Sequence, residues 1–233
     1  MNLSKALLAG SLLVSASAFA GHHDNGNHNG NGSTAPRAYE VTITNITAGQ
    51  SFTPVLVATH TSDVAFFKLG DAPSDDLADL AEGGATGGLQ ATLESMPEYV
   101  MQTATSGLGE DDHPLITPGE SVTVMIYGSR DYDRLSLAGM LLPTNDSFVA
   151  INSMPLPRHY SAGMARAYDA GSEMNDELCA NIPGPPCMGA PFSEGLAEGY
   201  VYVSRGISGE GDLAASAHDW RNPVARVTVK RVD

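Results

Sequence analysis

Cations are scarce in this 233-residue chain: 12 Lys and Arg face 27 Asp and Glu, with 7 His, for a formal net charge of −15. After residue 20 only two lysines occur, Lys68 and Lys230. Without clustered Lys and Arg there is no surface that tracks phosphates by displacing counterions, so a nucleic-acid partner is excluded. Long apolar runs are missing too. No stretch beyond the first residues approaches the roughly 20 apolar residues that span a bilayer, so no transmembrane segment is expected in the mature chain. Catalytic signatures are equally absent. There is no Gly-x-Ser-x-Gly elbow, no His-Glu-x-x-His and no phosphate-cradling Gly-x-x-x-x-Gly-Lys. Gly206, Gly209 and Gly211 have the wrong spacing for a dinucleotide loop. Binding rather than catalysis is the expectation.

What is present begins with a leader. Lys5 supplies a positive start, Ala6 to Val14 a short apolar run, and Ala18-Phe19-Ala20 the small residues a signal peptidase reads. Residues 1–20 are therefore predicted to be removed by cleavage after Ala20, which takes Lys5 away and leaves the mature chain at about −16. The product is expected in the periplasm or outside the cell. Residues 21–37 form a His/Asn/Gly-rich tether with almost nothing to bury. His22, His23 and His28 are capable transition-metal ligands, but Gly and Asn around them impose no geometry, and a solvated linker is the plainer reading. In an oxidising compartment Cys179 and Cys187 are expected to pair with each other. So small a loop restrains few unfolded conformations, worth about 2 kcal/mol on the chain-entropy model, and its use is to pin one loop.

From residue 38 to 233 short strand-like segments alternate with Gly/Pro-rich joins. Tyr39, Val41 and Ile43 alternate with polar residues, the period of a half-buried strand. Further candidates are 54–59, 121–127, 135–142, 148–151 and 199–204. The last, 224–232, puts Ala225, Val227 and Val229 on one face and Arg226, Thr228 and Lys230 on the other. One helix is predicted over Ser74–Glu82. Ser74 caps it, Asp75 and Asp76 suit its positive end, and Leu77, Leu80 and Ala81 make its buried stripe. Its acids are read as helix chemistry rather than as a cation site. The pattern predicts a mostly β domain, a single antiparallel β-sandwich with one or two short helices.

Two loops concentrate oxygen. Asp146 closes Pro143-Thr-Asn-Asp between two strands, and residues 168–177 gather Asp169, Ser172, Glu173, Asn175, Asp176 and Glu177 around one glycine. Hard oxygens on neighbouring loops are what Ca²⁺ takes; a solvated loop has the same composition, and the residues alone leave both readings open. Tyr168-Asp-Ala-Gly-Ser-Glu173, Pro143-Thr-Asn-Asp146-Ser-Phe-Val-Ala, Phe66 through Glu82, and Asn222-Pro-Val-Ala-Arg-Val-Thr-Val229 resemble, in order, segments of the spondin domain family. That resemblance implies a β-sandwich with one Ca²⁺ at a loop end, ligated by Asp146, Asp169 and Glu173. It also implies a secreted recognition or adhesion module whose partner is an extracellular protein or glycan. Ser172 and Glu173 replace the Thr-Asp of animal members, whose cysteine framework is not reproduced either. Two competing expectations remain. One is an exported hydrolase using His60 or His218, since a triad built from distant residues leaves no local motif. The other is a structural envelope protein whose calcium only stabilises it. His60 itself reads more simply as a hydrogen-bonded structural residue, and Trp220 as a cap on the core.

Overall fold

The structure is a computed structural model that describes residues 34–109, 113–193 and 195–233. The leader, the cleavage site, and His22, His23 and His28 of the tether lie outside the described residues.

Alternation dictates the first strand. β1 (Arg37–Asn45) turns Tyr39, Val41 and Ile43 into the core, where they are almost fully buried. It opens at Arg37, two residues before Tyr39, where the alternation begins. β10 (Ala225–Arg231) pairs with it antiparallel, with Ala225, Val227 and Val229 inward as their spacing predicts. β5 (Ser121–Gly128) lies on the other side of β1, and β8 (Tyr160–Asp169) on the other side of β10. A second group contains β3 (Leu56–His60), β4 (Val100–Thr105), β6 (Arg134–Leu142) and β7 (Ser147–Pro155), with the two-residue strands β2 (Ser51–Phe52) and β9 (Tyr202–Val203) at its margins.

The two groups are not separate sheets. β8 pairs with β10 through Tyr160–Ala165 and with β7 through Arg166–Asp169. The hydrogen-bonded path is therefore continuous, in the order β4-β3-β6-β7-β8-β10-β1-β5. Its ends then meet. The Thr59 hydroxyl of β3 donates to the Tyr127 carbonyl of β5 at 2.6 Å, and the Tyr127 amide donates to the Gln102 side chain of β4 at 2.7 Å. The expected sandwich of two facing sheets is thus one antiparallel sheet curled until it nearly closes as a barrel. Curling in this way removes most of the exposed edge.

Two apolar layers follow from this path. The interior joins Tyr39, Val41, Phe52, Leu135, Val149 and Val227, among others. The outer face of β3, β4, β6 and β7 is covered by α1 (Asp75–Gly83), which lies on β6 and β7, and α2 (Gly87–Glu94), which lies on β4. Beneath α1, Leu77, Leu80 and Ala81 are fully buried, as the periodicity predicts. The Ser74 hydroxyl accepts the Leu77 amide at 3.2 Å. Gly84 ends the helix in the left-handed region, φ 69°, which only glycine adopts without strain. A third helix, α3 (Ala215–His218), is a single turn. The segment expected as a strand over 199–204 pairs only at Tyr202–Val203. The Gly199 and Val201 amides are drawn to the Gly171 and Asp71 carbonyls instead.

Candidate functional site

Strand register builds the site. Ser147 at the start of β7 stands opposite Asp169 at the end of β8. Asp146 and Asp169 therefore emerge at the same end of adjacent strands, and the Ala170 amide extends the pairing to the Asp146 carbonyl at 3.1 Å. The chain then turns back. Gly171 takes φ +66°, and a Cβ there would lie 2.3 Å from the Tyr200 carbonyl oxygen, so both conformation and space require glycine. Its amide donates to Asp169 Oδ1 at 3.0 Å. The next two amides, of Ser172 and Glu173, donate to Asp146 Oδ2 at 2.8 and 3.1 Å. One loop thus cradles the carboxylate of another in a nest of N–H groups.

Three of the acids expected from sequence converge here, all with relative exposure of 2% or less: Asp146, Asp169 and Glu173. A fourth was missed. Glu82, 7% exposed at the C-terminal end of α1, meets the Ser172 hydroxyl and feels the charge of Asp146. Its sequence signal lay in its place. An acid in the last turn of a helix opposes the helix dipole and is disfavoured there without another role. Reading every acid of this helix as helix chemistry therefore fails at Glu82. The remaining acids of the loop are used elsewhere. Asp176 accepts from Asn145 Nδ2 and the Leu178 amide at 3.1 and 2.9 Å, and Glu177 accepts the Ser208 and Gly209 amides at 2.5 and 2.8 Å.

Electrostatically the cluster is uncompensated. The ion pairs among the described residues are Asp133–Arg134, Asp219–Arg221 and Asp233–Arg231, and none of them involves these four carboxyl groups. Burial, with the charge of Asp146 added, pushes Asp169 up to about 8, although Asn175 and the Gly171 amide pull it down. Burial likewise pushes Glu173 up to about 7 against the Ser193 amide, and it raises Asp146 and Glu82. Two carboxylate oxygens, Asp146 Oδ1 and Glu173 Oε2, are buried with no hydrogen-bond partner. At the rim, Asn175 Nδ2 joins Asp169 Oδ2, the Tyr202 hydroxyl and the exposed Glu198 at 2.9, 3.0 and 3.3 Å. Among the described residues, no three or more His, Cys, Asp or Glu side chains are placed to hold a metal ion. The donor set is nonetheless all hard oxygen with two orphaned acceptors, which is chemistry suited to Ca²⁺ rather than to a soft metal.

The other singled-out residues have ordinary places. His60 is fully buried, its Nδ1 2.7 Å from the Thr61 carbonyl oxygen and its Nε2 2.7 Å from the Ser136 hydroxyl. Burial holds its pKa below the usual histidine value. Trp220 lies in the interior apolar cluster at 7% exposure. Cys179 and Cys187 are joined by a disulfide, and the loop they close is tied to the acidic segment where Asn181 Nδ2 donates to Asp176 Oδ2 at 2.5 Å.

A curled antiparallel sheet with helices on one outer face and an acidic loop end defines a class of β-rich domain. Within it, residues 31–171 match the Spondin_N family model, and the chain belongs to that family. The matched stretch holds Glu82, Asp146 and Asp169; Glu173 follows two residues beyond it. No curated protein matches the chain. Among the described residues no helix is long and apolar enough to cross a membrane.

Proposed function

We propose that this protein is an exported, calcium-dependent recognition module that acts by binding and carries out no catalysis. Ca²⁺ would be held at the loop end by Glu82, Asp146, Asp169 and Glu173, with the ion supplying the positive charge those buried carboxylates lack. The single observation that carries the reading is the pair of buried, unpartnered oxygens, Asp146 Oδ1 and Glu173 Oε2, in a carboxylate cluster that no ion pair among the described residues reaches. Buried anions without a partner are costly and call for a proton or a cation. The chain's own residues orient the set. The amides of Ser172 and Glu173 hold Asp146, the Gly171 amide and Asn175 hold Asp169, and the Ser193 amide holds one oxygen of Glu173. An ion binding here ties the end of α1, the β6–β7 loop and the loop after β8 into one rigid surface. Membership of the Spondin_N family and the predicted leader support an extracellular or periplasmic setting.

The test is thermal unfolding in calcium and in chelator, for the wild type and for Asp146→Asn and Asp169→Asn. At calcium tenfold above the dissociation constant, linkage adds about 1.4 kcal/mol, an upward shift of about 3–6 °C in a domain of this size. Equal melting of all forms in both buffers rules the calcium reading out.

A further inference from the structure

Among the described residues, the outer face of β5, β1, β10 and β8 is bare: α1 and α2 lie on β4, β6 and β7. In a chain of net charge −15, this face inverts the sign. Arg226 and Lys230 project from β10, and Arg166 from β8, diagonal to Arg226. All three are exposed, and none belongs to an ion pair among the described residues. Among the described residues, the single acid on the outer face of these strands is Glu40, opposite Lys230. Tyr160 and Met164, 56% and 57% exposed, stand between and beside the cations, and Arg226 Nη2 reaches the Tyr160 hydroxyl at 3.5 Å. Down the middle the side chains are short and hydroxylated: Thr42 Oγ1 meets Thr123 Oγ1 at 3.0 Å, and Thr44 Oγ1 meets Ser121 Oγ at 2.8 Å.

We infer that this bare sheet face is a docking surface for an anionic polysaccharide. Charge sets the sign of the ligand. Guanidinium groups donate forked hydrogen bonds to carboxylate or sulfate; among the described residues that of Arg166 meets no acceptor, and that of Arg226 meets only the Tyr160 hydroxyl, at 3.5 Å. Area sets its shape. Four strands of 7 to 10 residues, about 4.8 Å apart and rising about 3.3 Å per residue, give a face about 15–19 Å by about 23–33 Å, or at most about 600 Å². A stable protein partner takes about 800 Å² on each side, so a narrow extended chain fits where a globular surface does not. The Thr and Ser hydroxyls offer donors and acceptors to sugar hydroxyls, and the Tyr160 ring offers a flat apolar surface. This inference rests on the recognition half of the proposed function and not on calcium, since the face lies apart from the acidic loop end.

Isothermal titration calorimetry with the whole protein decides the matter, using heparin and polygalacturonate as probes. Poly-glutamate, phosphatidylglycerol vesicles and neutral dextran serve as comparators. The wild type is expected to bind at least one of the two polyanionic sugars, less tightly as salt rises, and to bind the comparators weakly or not at all. Because it removes two charge-assisted donors, Arg166→Ala/Arg226→Ala is expected to weaken binding at least about tenfold. Lys230→Ala and Tyr160→Ala provide independent single-site readings, and Glu40→Gln is expected to tighten binding. Unchanged melting temperatures establish that the variants fold. Binding is expected in chelator as in calcium, so a failed calcium site and a failed sugar face give different results. The inference is overturned if neither sugar binds, if the folded variants bind like the wild type, or if poly-glutamate or the vesicles bind as tightly.

Discussion

The Glu173 amide donates to the Asp146 carboxylate at 3.1 Å, so one acid of the cluster is held by the peptide bond of another. This is the arrangement that concentrates negative charge without dispersing it. Donors from the backbone fix one oxygen of Asp146 and leave the second free. The loop that makes the nest is therefore as much a part of the site as the carboxylates are.

Gly171 is the position where that loop tolerates least change. Gly171→Ala places a Cβ in the left-handed region, a conformational cost of about 1–2 kcal/mol, and also 2.3 Å from the Tyr200 carbonyl oxygen. Urea unfolding is expected to show a loss larger than the conformational cost alone. The calcium-induced rise in melting temperature is expected to shrink, because the amides facing Asp146 move with the turn.

In chelator, stability is expected to fall as pH rises. Asp169 and Glu173 are pushed up to about 8 and about 7, above their values in an unfolded chain. A raised folded pKa means that the native state holds protons the unfolded state gives up. The favourable contribution is complete below about pH 4 and is lost as pH climbs through 7 to 8. Urea midpoints at pH 5 and pH 9 measure this directly, and Asp169→Asn is expected to flatten the difference.

His60 acts with the opposite sign. Burial holds its pKa below the ordinary histidine value, so the unfolded state takes up the proton first. Its contribution is present above about pH 6.5 and is lost as pH falls below that. His60→Gln, which leaves a polar group to face Ser136, is expected to remove part of the acid-side loss between pH 6.5 and 5, as read by urea unfolding at a series of pH values.

Leu80→Ala tests the layer that carries Glu82 to the site. Leu80 is fully buried beneath α1, and truncating such a leucine costs about 2–5 kcal/mol. With the helix loosened, calcium is expected to bind more weakly as well. A variant that lost stability but kept the wild-type calcium affinity would separate Glu82 from the cation site.

Much of this was legible in the residues, and the exceptions have physical causes. β1, β5, β6 and β10 follow their apolar periods, and α1 its stripe and its caps. β8 escaped because Ala162, Gly163, Ala165 and Ala167 are too small to mark two faces by hydropathy. α2 opens on Gly87-Gly88, residues that argue against a helix, and is held by Leu89 and Leu93 one turn apart against the sheet. Asp146, Asp169 and Glu173 could be singled out by their loops. Glu82 is marked locally only by its place in the last turn of α1, because its neighbours in the cluster are 64 and more residues away in sequence. The curling of the sheet was also hidden, since it depends on one strand dividing its partners.

That division of β8 has a mechanical consequence. A strand paired along its first half to β10 and along its second half to β7 cannot slide by one residue against either neighbour without losing its hydrogen bonds to both. Such a slip would turn every side chain to the opposite face, carrying Asp169 away from Asp146 and Met164 and Arg166 into the interior. The acid at one end of this strand and the bare surface along it are therefore indexed by the same ladder, as two marks cut on a single ruler.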